Sequence, residues 1–248
     1  MNSPFFQIDK TAAMLRRSVF VCLMAGILGL PACKSLSPDY VRVKGVQHQL
    51  PGKPVEGSQR LQADEQAYQQ GLAMRDTERA KEAGTHAGLT KLPDYERLFS
   101  PVVDREISET ATPNIHKLLK RTFTVAKEMI HTVKQQNNRE RPFAVHPEDK
   151  TCRPDLIAKS NPNRSYPSGH SGESWAVGLM LSKLFPDKAD AVLELARRIG
   201  DSRWICGYHW ASDVEAARLL VDGVVSKLME NPSFRKQLSK AKKEACGK

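Results

Sequence analysis

The 248-residue chain predicts an all-α fold, a single-domain helical bundle over residues 63–248. Three features point there. Apolar residues recur at helical spacing in several long segments, proline and glycine bracket those segments, and no alternating run is long enough for a convincing strand. Residues 33–62 carry Pro38, Pro51, Gly52, Pro54 and Gly57 with no apolar period, which predicts an extended, surface-wrapping linker. Ala63 to about Ala83, rich in Ala, Gln, Glu and Arg, predicts one helix, and Gly84 to Pro101 a loop with a short helix near Tyr95. Thr112-Pro113 reads as an N-cap with proline at the first helical position. Ile115, Leu118, Leu119, Phe123, Ala126, Met129, Ile130 and Val133 then share one face, with Lys134 just past the stripe. Trp175 to Phe185 is almost wholly apolar, as suits a central buried helix, and Pro186 ends it. A helix through Ala189, Val192, Leu193, Ala196 and Ile199 is expected to stop at Gly200, and another from Val214 to Leu228 near Asn231-Pro232.

Composition bounds the function. Hydrophobic residues make up 40% and charged residues 27%, as in an ordinary globular protein, and the formal net charge is +10. The C-terminal cations, Arg235 to Lys248, have no interleaved aromatics for base stacking, so they read as a solvated helix face and nucleic acid is not an expected partner. At the start, Lys10, Arg16 and Arg17 precede an apolar run from Val19 to Leu30, too short for a membrane-spanning helix. Residues 1–32 are therefore expected as a secretory signal. Leu30-Pro31-Ala32-Cys33 resembles a bacterial lipobox, which would lipidate Cys33 and tether the chain to the outer membrane. Conventional cleavage nearby would leave it free in the periplasm. Cys152, Cys206 and Cys246 then remain, enough for one disulfide and one thiol, with the pairing open.

Three segments carry the chemistry: Lys134 with Arg141-Pro142, Pro167-Ser168-Gly169-His170, and Ser202-Arg203 with His209 and Asp213. Each alone has a plain structural reading: solvated cations at a helix end, a Ser/Gly helix cap, an i,i+4 His/Asp pair. Together they specify eleven positions, far beyond chance agreement. Their chemistry suits a phosphoryl group. Arginines bind its oxygens in pairs, a glycine at a helix start lets it approach the backbone amides, and Ser168 donates a hydroxyl. With Asp213 one turn along a helix, His209 would keep one ring nitrogen free as a nucleophile, while His170 would sit at the mouth as proton carrier. The remaining histidines (His48, His86, His116, His131, His146) form no ligand cluster in sequence, so no metal or other cofactor is expected.

The pattern Lys-x6-Arg-Pro, Pro-Ser-Gly-His, Ser-Arg-x5-His-x3-Asp resembles the signature of the phosphatidic acid phosphatase type 2/vanadium haloperoxidase superfamily. Within it, Ser165-Tyr166-Pro167-Ser168-Gly169-His170 and Ile205-Cys206-Gly207-Tyr208-His209-Trp210 are similar to the bacterial class A non-specific acid phosphatases. The resemblance runs from about Ala63, through Arg75-Asp76-Thr77-Glu78-Arg79, past Asn231-Pro232. It implies an α-helical, metal-free enzyme, a homodimer or higher homo-oligomer, that hydrolyses small phosphomonoesters over a broad range, nucleotides included. By it, His209 would be phosphorylated and His170 would protonate the leaving group. Lys134, Arg141, Ser168, Gly169 and Arg203 would hold the phosphate, and Asp213 would orient His209. Arg164 stands where the class usually has glycine, at the expected pocket rim, where it bears on substrate preference. Lipid phosphatases of the superfamily embed their site among transmembrane helices, for which this chain has no candidate after residue 30. A non-catalytic phosphate-binding protein would lack the nucleophile or the acid, and both histidines are present.

Overall fold

The structure, a computed structural model, describes residues 37–247. The expected signal and Cys33 lie outside the described residues. Among the described residues ten α-helices follow in order: α1 Tyr40–Val43, α2 Gln59–Met74, α3 Glu78–Ala87, α4 Leu92–Phe99, α5 Pro113–Gln136, α6 Pro142–Val145, α7 Gly169–Leu184, α8 Ala189–Ile205, α9 Ala211–Glu230 and α10 Pro232–Ala245. Among the described residues the only β-pairing is an isolated parallel bridge between Arg139 and Arg164.

The core forms around α7, which packs against α5, α8 and α9. Close approach explains two of its glycines. A Cβ at Gly172 would lie 2.4 Å from Ile130 Cδ1 on α5, and one at Gly178 2.6 Å from Ala196 Cβ on α8. Ile115, Leu118, Leu119, Ala126, Met129 and Ile130 of α5 pack into this core as their spacing predicts. The start of α5 is capped differently from expectation. The Thr112 hydroxyl turns back to the Ser108 carbonyl, and Glu244 of α10 accepts from the amides of Asn114 (3.2 Å) and Ile115 (2.8 Å). A carboxylate there satisfies free amides and complements the helix dipole.

Several expectations need correction. The helix expected over Ala63–Ala83 is two helices, α2 and α3, broken at Arg75-Asp76-Thr77. There the Arg75 guanidinium donates to the Ile205 carbonyl (2.7 Å) and the Lys150 carbonyl (2.8 Å), anchoring the turn in the core. In the stretch from Gly84 the short helix expected near Tyr95 is α4, opened by Asp94 accepting from the amides of Thr90 and Lys91, but the stretch begins with the end of α3 and not with a loop. Gly200 does not stop α8. It lies inside the helix, where a Cβ would come 3.4 Å from Ser171 Cβ, so it serves the contact with α7. The described part of the 33–62 segment is not wholly extended. Val43 and Val46 are buried, and a Cβ at Gly223 of α9 would strike Val46 Cγ1 at 2.3 Å.

Candidate active site

Three chain breaks meet at the α7 N-terminus: the segment after α5, the turn before α7, and the turn between α8 and α9. That last turn is set by Gly207, whose φ of +77° belongs to the left-handed region that favours glycine. A Cβ there would also lie 2.8 Å from Arg75 Nη2. A disulfide between Cys152 and Cys206 ties the same turn to the loop after α6, and Cys246 is free and exposed.

His209 lies in this turn, two residues ahead of α9, and not on the helix with Asp213 as expected. Asp213 is the third residue of α9. Its carboxylate accepts from the Trp210 amide (2.9 Å), from Ser165 Oγ (2.5 Å) and from Arg139 Nη1 (2.5 Å). His209 Nδ1 is 3.5 Å from Asp213 Oδ2 and 3.4 Å from Ser165 Oγ, so carboxylate and hydroxyl together face that nitrogen. Its Nε2 is 2.9 Å from Arg141 Nη1. Burial, reinforced by Arg141, Lys134, Arg203 and His170, holds the His209 pKa well below the usual histidine value. The ring is therefore neutral, with the Nδ1 proton toward Asp213 and the Nε2 lone pair toward the cations. Burial also pushes the Asp213 carboxyl up, and Arg139, Ser165 and the Trp210 amide oppose it.

The cations converge from separate elements. Arg141 is locked by carbonyls: its Nε donates to Asn161 (2.9 Å), its Nη1 to Tyr208 (2.8 Å) and its Nη2 to Arg164 (3.1 Å). Lys134 donates to the carbonyls of Arg164 (2.9 Å) and Ser165 (3.1 Å), and its stem runs beside Gly169, whose Cβ would lie 4.0 Å from Lys134 Cε. Arg203, in the last turn of α8, is buried with its guanidinium carbon 4.7 Å from the Tyr208 ring centre. Its Nε and Nη1 have no hydrogen-bond partner. Burial lowers both Arg141 and Arg203 to about 10, with Arg203 adding its repulsion on Arg141. Neither can lose its proton near neutrality, so an anion is the natural partner for the group.

His170 is the second residue of α7, half-buried, with Nε2 unpartnered and a backbone hydrogen bond to Leu89. Burial and then Arg203 depress its pKa. Beside it Ser168 accepts from the Ser171 hydroxyl (2.7 Å), leaving its own proton to donate. The arrangement thus offers a tetrahedral anion three cations, a hydroxyl and helix-start amides. The structure unites Lys134, Arg141, Ser168, Gly169, His170, Arg203, His209 and Asp213 in one place. Two grooves of about 790 and 960 Å³ elsewhere on the surface hold none of these side chains.

The sequence reading missed three participants. Arg139 bridges Asp213 to Asp64 on α2 (Nη2 to Oδ2, 2.6 Å), and Asp64 also accepts from the amide of Ser212 (2.7 Å). Ser165 completes the set. Away from these residues, His146, Glu148 and Asp149 group, each with a ligand atom within 4.8 Å of the others. Asp149 already accepts from Tyr68 (2.6 Å), and the group shares no residue with the cation cluster.

Residues 121–224 match the PAP2 superfamily. The chain is 40% identical to a non-specific acid phosphatase of Providencia stuartii, over 79% of this chain and 78% of that one. It is 35% identical to one of Salmonella typhimurium, over 80% and 79%. An acid phosphatase of Zymomonas mobilis is 28% identical over 93% and 91%. The chain belongs to the PAP2 superfamily, beside its non-specific acid phosphatases, and is a phosphomonoesterase.

Proposed function

We propose that this phosphatase hydrolyses a broad range of small phosphomonoesters, nucleotides included, in two steps through a phosphohistidine on His209. Nε2 of His209 attacks phosphorus as the ester oxygen departs, and His170 gives that oxygen its proton. Water, deprotonated by His170, then attacks the phosphohistidine; the P–N bond breaks, inorganic phosphate leaves, and neutral His209 is restored. Lys134, Arg141, Arg203, Ser168 and the amides from Gly169 onward neutralise the equatorial oxygens, the main demand in phosphoryl transfer and one that fixed cations meet without a metal. The observation that carries this reading is the orientation of His209: Nδ1 toward Asp213 and Ser165, Nε2 2.9 Å from Arg141.

The Cys152–Cys206 disulfide suits an oxidising compartment, and with the basic, apolar N-terminal segment it supports a periplasmic enzyme, with Cys33 as candidate lipid anchor. No helix among the described residues is long and apolar enough to cross a membrane. A homodimer or larger homo-oligomer completes the proposal. Rapid acid-free quenching during turnover, followed by mass spectrometry, should find acid-labile phosphate on His209. Phosphate on His170 alone would reverse the two roles. Activity lost to exhaustive chelation and restored by a divalent ion would remove the metal-free mechanism.

A further inference from the structure

Glu173 is a carboxylate where the sequence has no evident use for one. It lies one helical turn from His170 in the otherwise apolar and small-residue wall of α7, 7% exposed. Buried carboxylates are costly unless held. Glu173 accepts from the Tyr95 hydroxyl of α4 (3.0 Å), and its other oxygen is 3.6 Å from Lys127 Nζ of α5. Lys127 precedes Lys134 by two turns on the same face of α5, and Gly169 of α7 lies against the Lys134 stem. The carboxylate therefore sits one turn along from the phosphate grip. The groups facing it are Tyr95 from α4, Lys127 and Lys134 from α5, and Arg203 from α8. Asp64 and Asp213 both pair with Arg139, whereas Glu173 is the carboxylate whose charge acts on Arg203, and the buried Nε and Nη1 of Arg203 have no partner.

We propose that Glu173 is a positioning residue for product release, a buried counter-charge that, when ionised, weakens the site's hold on inorganic phosphate. The inference rests on the phosphate-site reading above. A cation cluster that binds a phosphoryl group strongly also retains the phosphate product, and a nearby anion lowers both affinities through Arg203 and Lys134. Burial raises the Glu173 pKa, and Lys127, Tyr95 and Arg203 act against that rise. As pH falls, Glu173 takes up a proton and the restraint on phosphate disappears.

The test is competitive inhibition of p-nitrophenyl phosphate hydrolysis by sulfate and by phosphate, compared for wild type and Glu173→Gln between about pH 4 and pH 7. Sulfate keeps its charge across this range. Near pH 7 the variant should show an inhibition constant about tenfold lower than wild type, the scale of one shielded charge, and the two should converge near pH 4. Glu173→Asp, which keeps the charge, should stay close to wild type. Glu173→Leu gives the same comparison should the amide disturb α7. Equal constants at every pH, or weaker binding in the variants, would overturn the proposal. Arg203→Met separates the two readings: if it leaves sulfate inhibition unchanged, the phosphate-site assignment itself is wrong.

Discussion

The two halves of the site are built on opposite terms. On the His209 side the charged groups are paired with one another: Asp64, Arg139, Asp213, Ser165 and the Trp210 amide form one connected network. On the other side, Arg203 Nε and Nη1 and His170 Nε2 are buried and unpartnered. A satisfied network fixes geometry, and an unsatisfied one stores affinity for what is missing. His209 is thus held in place by its partners, while the opposite wall leaves donors open for an anion's oxygens.

Removing His209, the proposed nucleophile, has the largest expected effect. His209→Ala should lower kcat by at least about a thousandfold and abolish the trapped phosphoenzyme, with folding checked by circular dichroism. His170→Ala should cost about a hundred- to ten-thousandfold for alkyl phosphates but much less for p-nitrophenyl phosphate, whose leaving group scarcely needs a proton. Equal losses on both substrates would remove His170 from the leaving-group step.

Stability probes the contrast directly. Arg139→Met leaves Asp64 and Asp213 buried without their shared cation, and should cost about 3–5 kcal/mol in denaturant unfolding. Arg203→Met removes a cation that has no ion pair, so its cost in anion-free buffer should be far smaller. The ligand response should be inverted. Phosphate at about 100 times its Kd should stabilise wild type by about 2.7 kcal/mol, and Arg203→Met should lose most of that gain. Similar destabilisation by the two variants would erase the distinction between the halves.

The same contrast decides what the sequence made legible. His209, His170, Lys134, Arg141 and Arg203 lie in compact local patterns, and α5 and α7 follow from their apolar spacing. Arg139 looks like any solvated charge after a helix, because its partners are remote: Asp64 precedes it by 75 residues and Asp213 follows by 74. Arg75 reads as part of a continuous helix until its bond to the Ile205 carbonyl shows why the chain turns there. Gly200 reads as a helix stop because sequence does not reveal that α7 lies against it. Asp213 was found, but by a geometry that is wrong in detail, since its reach to His209 comes through a turn and Ser165.

The smallest expected effect concerns acid. His86 is buried, its Nδ1 2.8 Å from Ser202 Oγ beside Arg203, and burial lowers its pKa from 6.5 to about 4. His170 and His209 are depressed in the same direction. For each, the unfolded chain binds the proton more readily, so its contribution to stability is full above about pH 6.5 and is lost as pH falls, for His86 down to about 4. His86 accounts for about 3 kcal/mol of this at most. The raised carboxyls of Asp213 and Glu173 act oppositely, gaining protons on folding and offsetting part of the loss. Saturating sulfate should raise the proton affinity of His170 and His209, which face the anion, and so flatten their share of the pH slope. The His86 share should remain, because its ring is occupied by Ser202 behind the site. Thermal melts from pH 7 to 4, with and without sulfate, should therefore differ in slope for wild type, and His86→Gln should remove most of the slope that sulfate leaves. If sulfate shifts every melt equally, the unsatisfied wall does not couple anion binding to those two histidines.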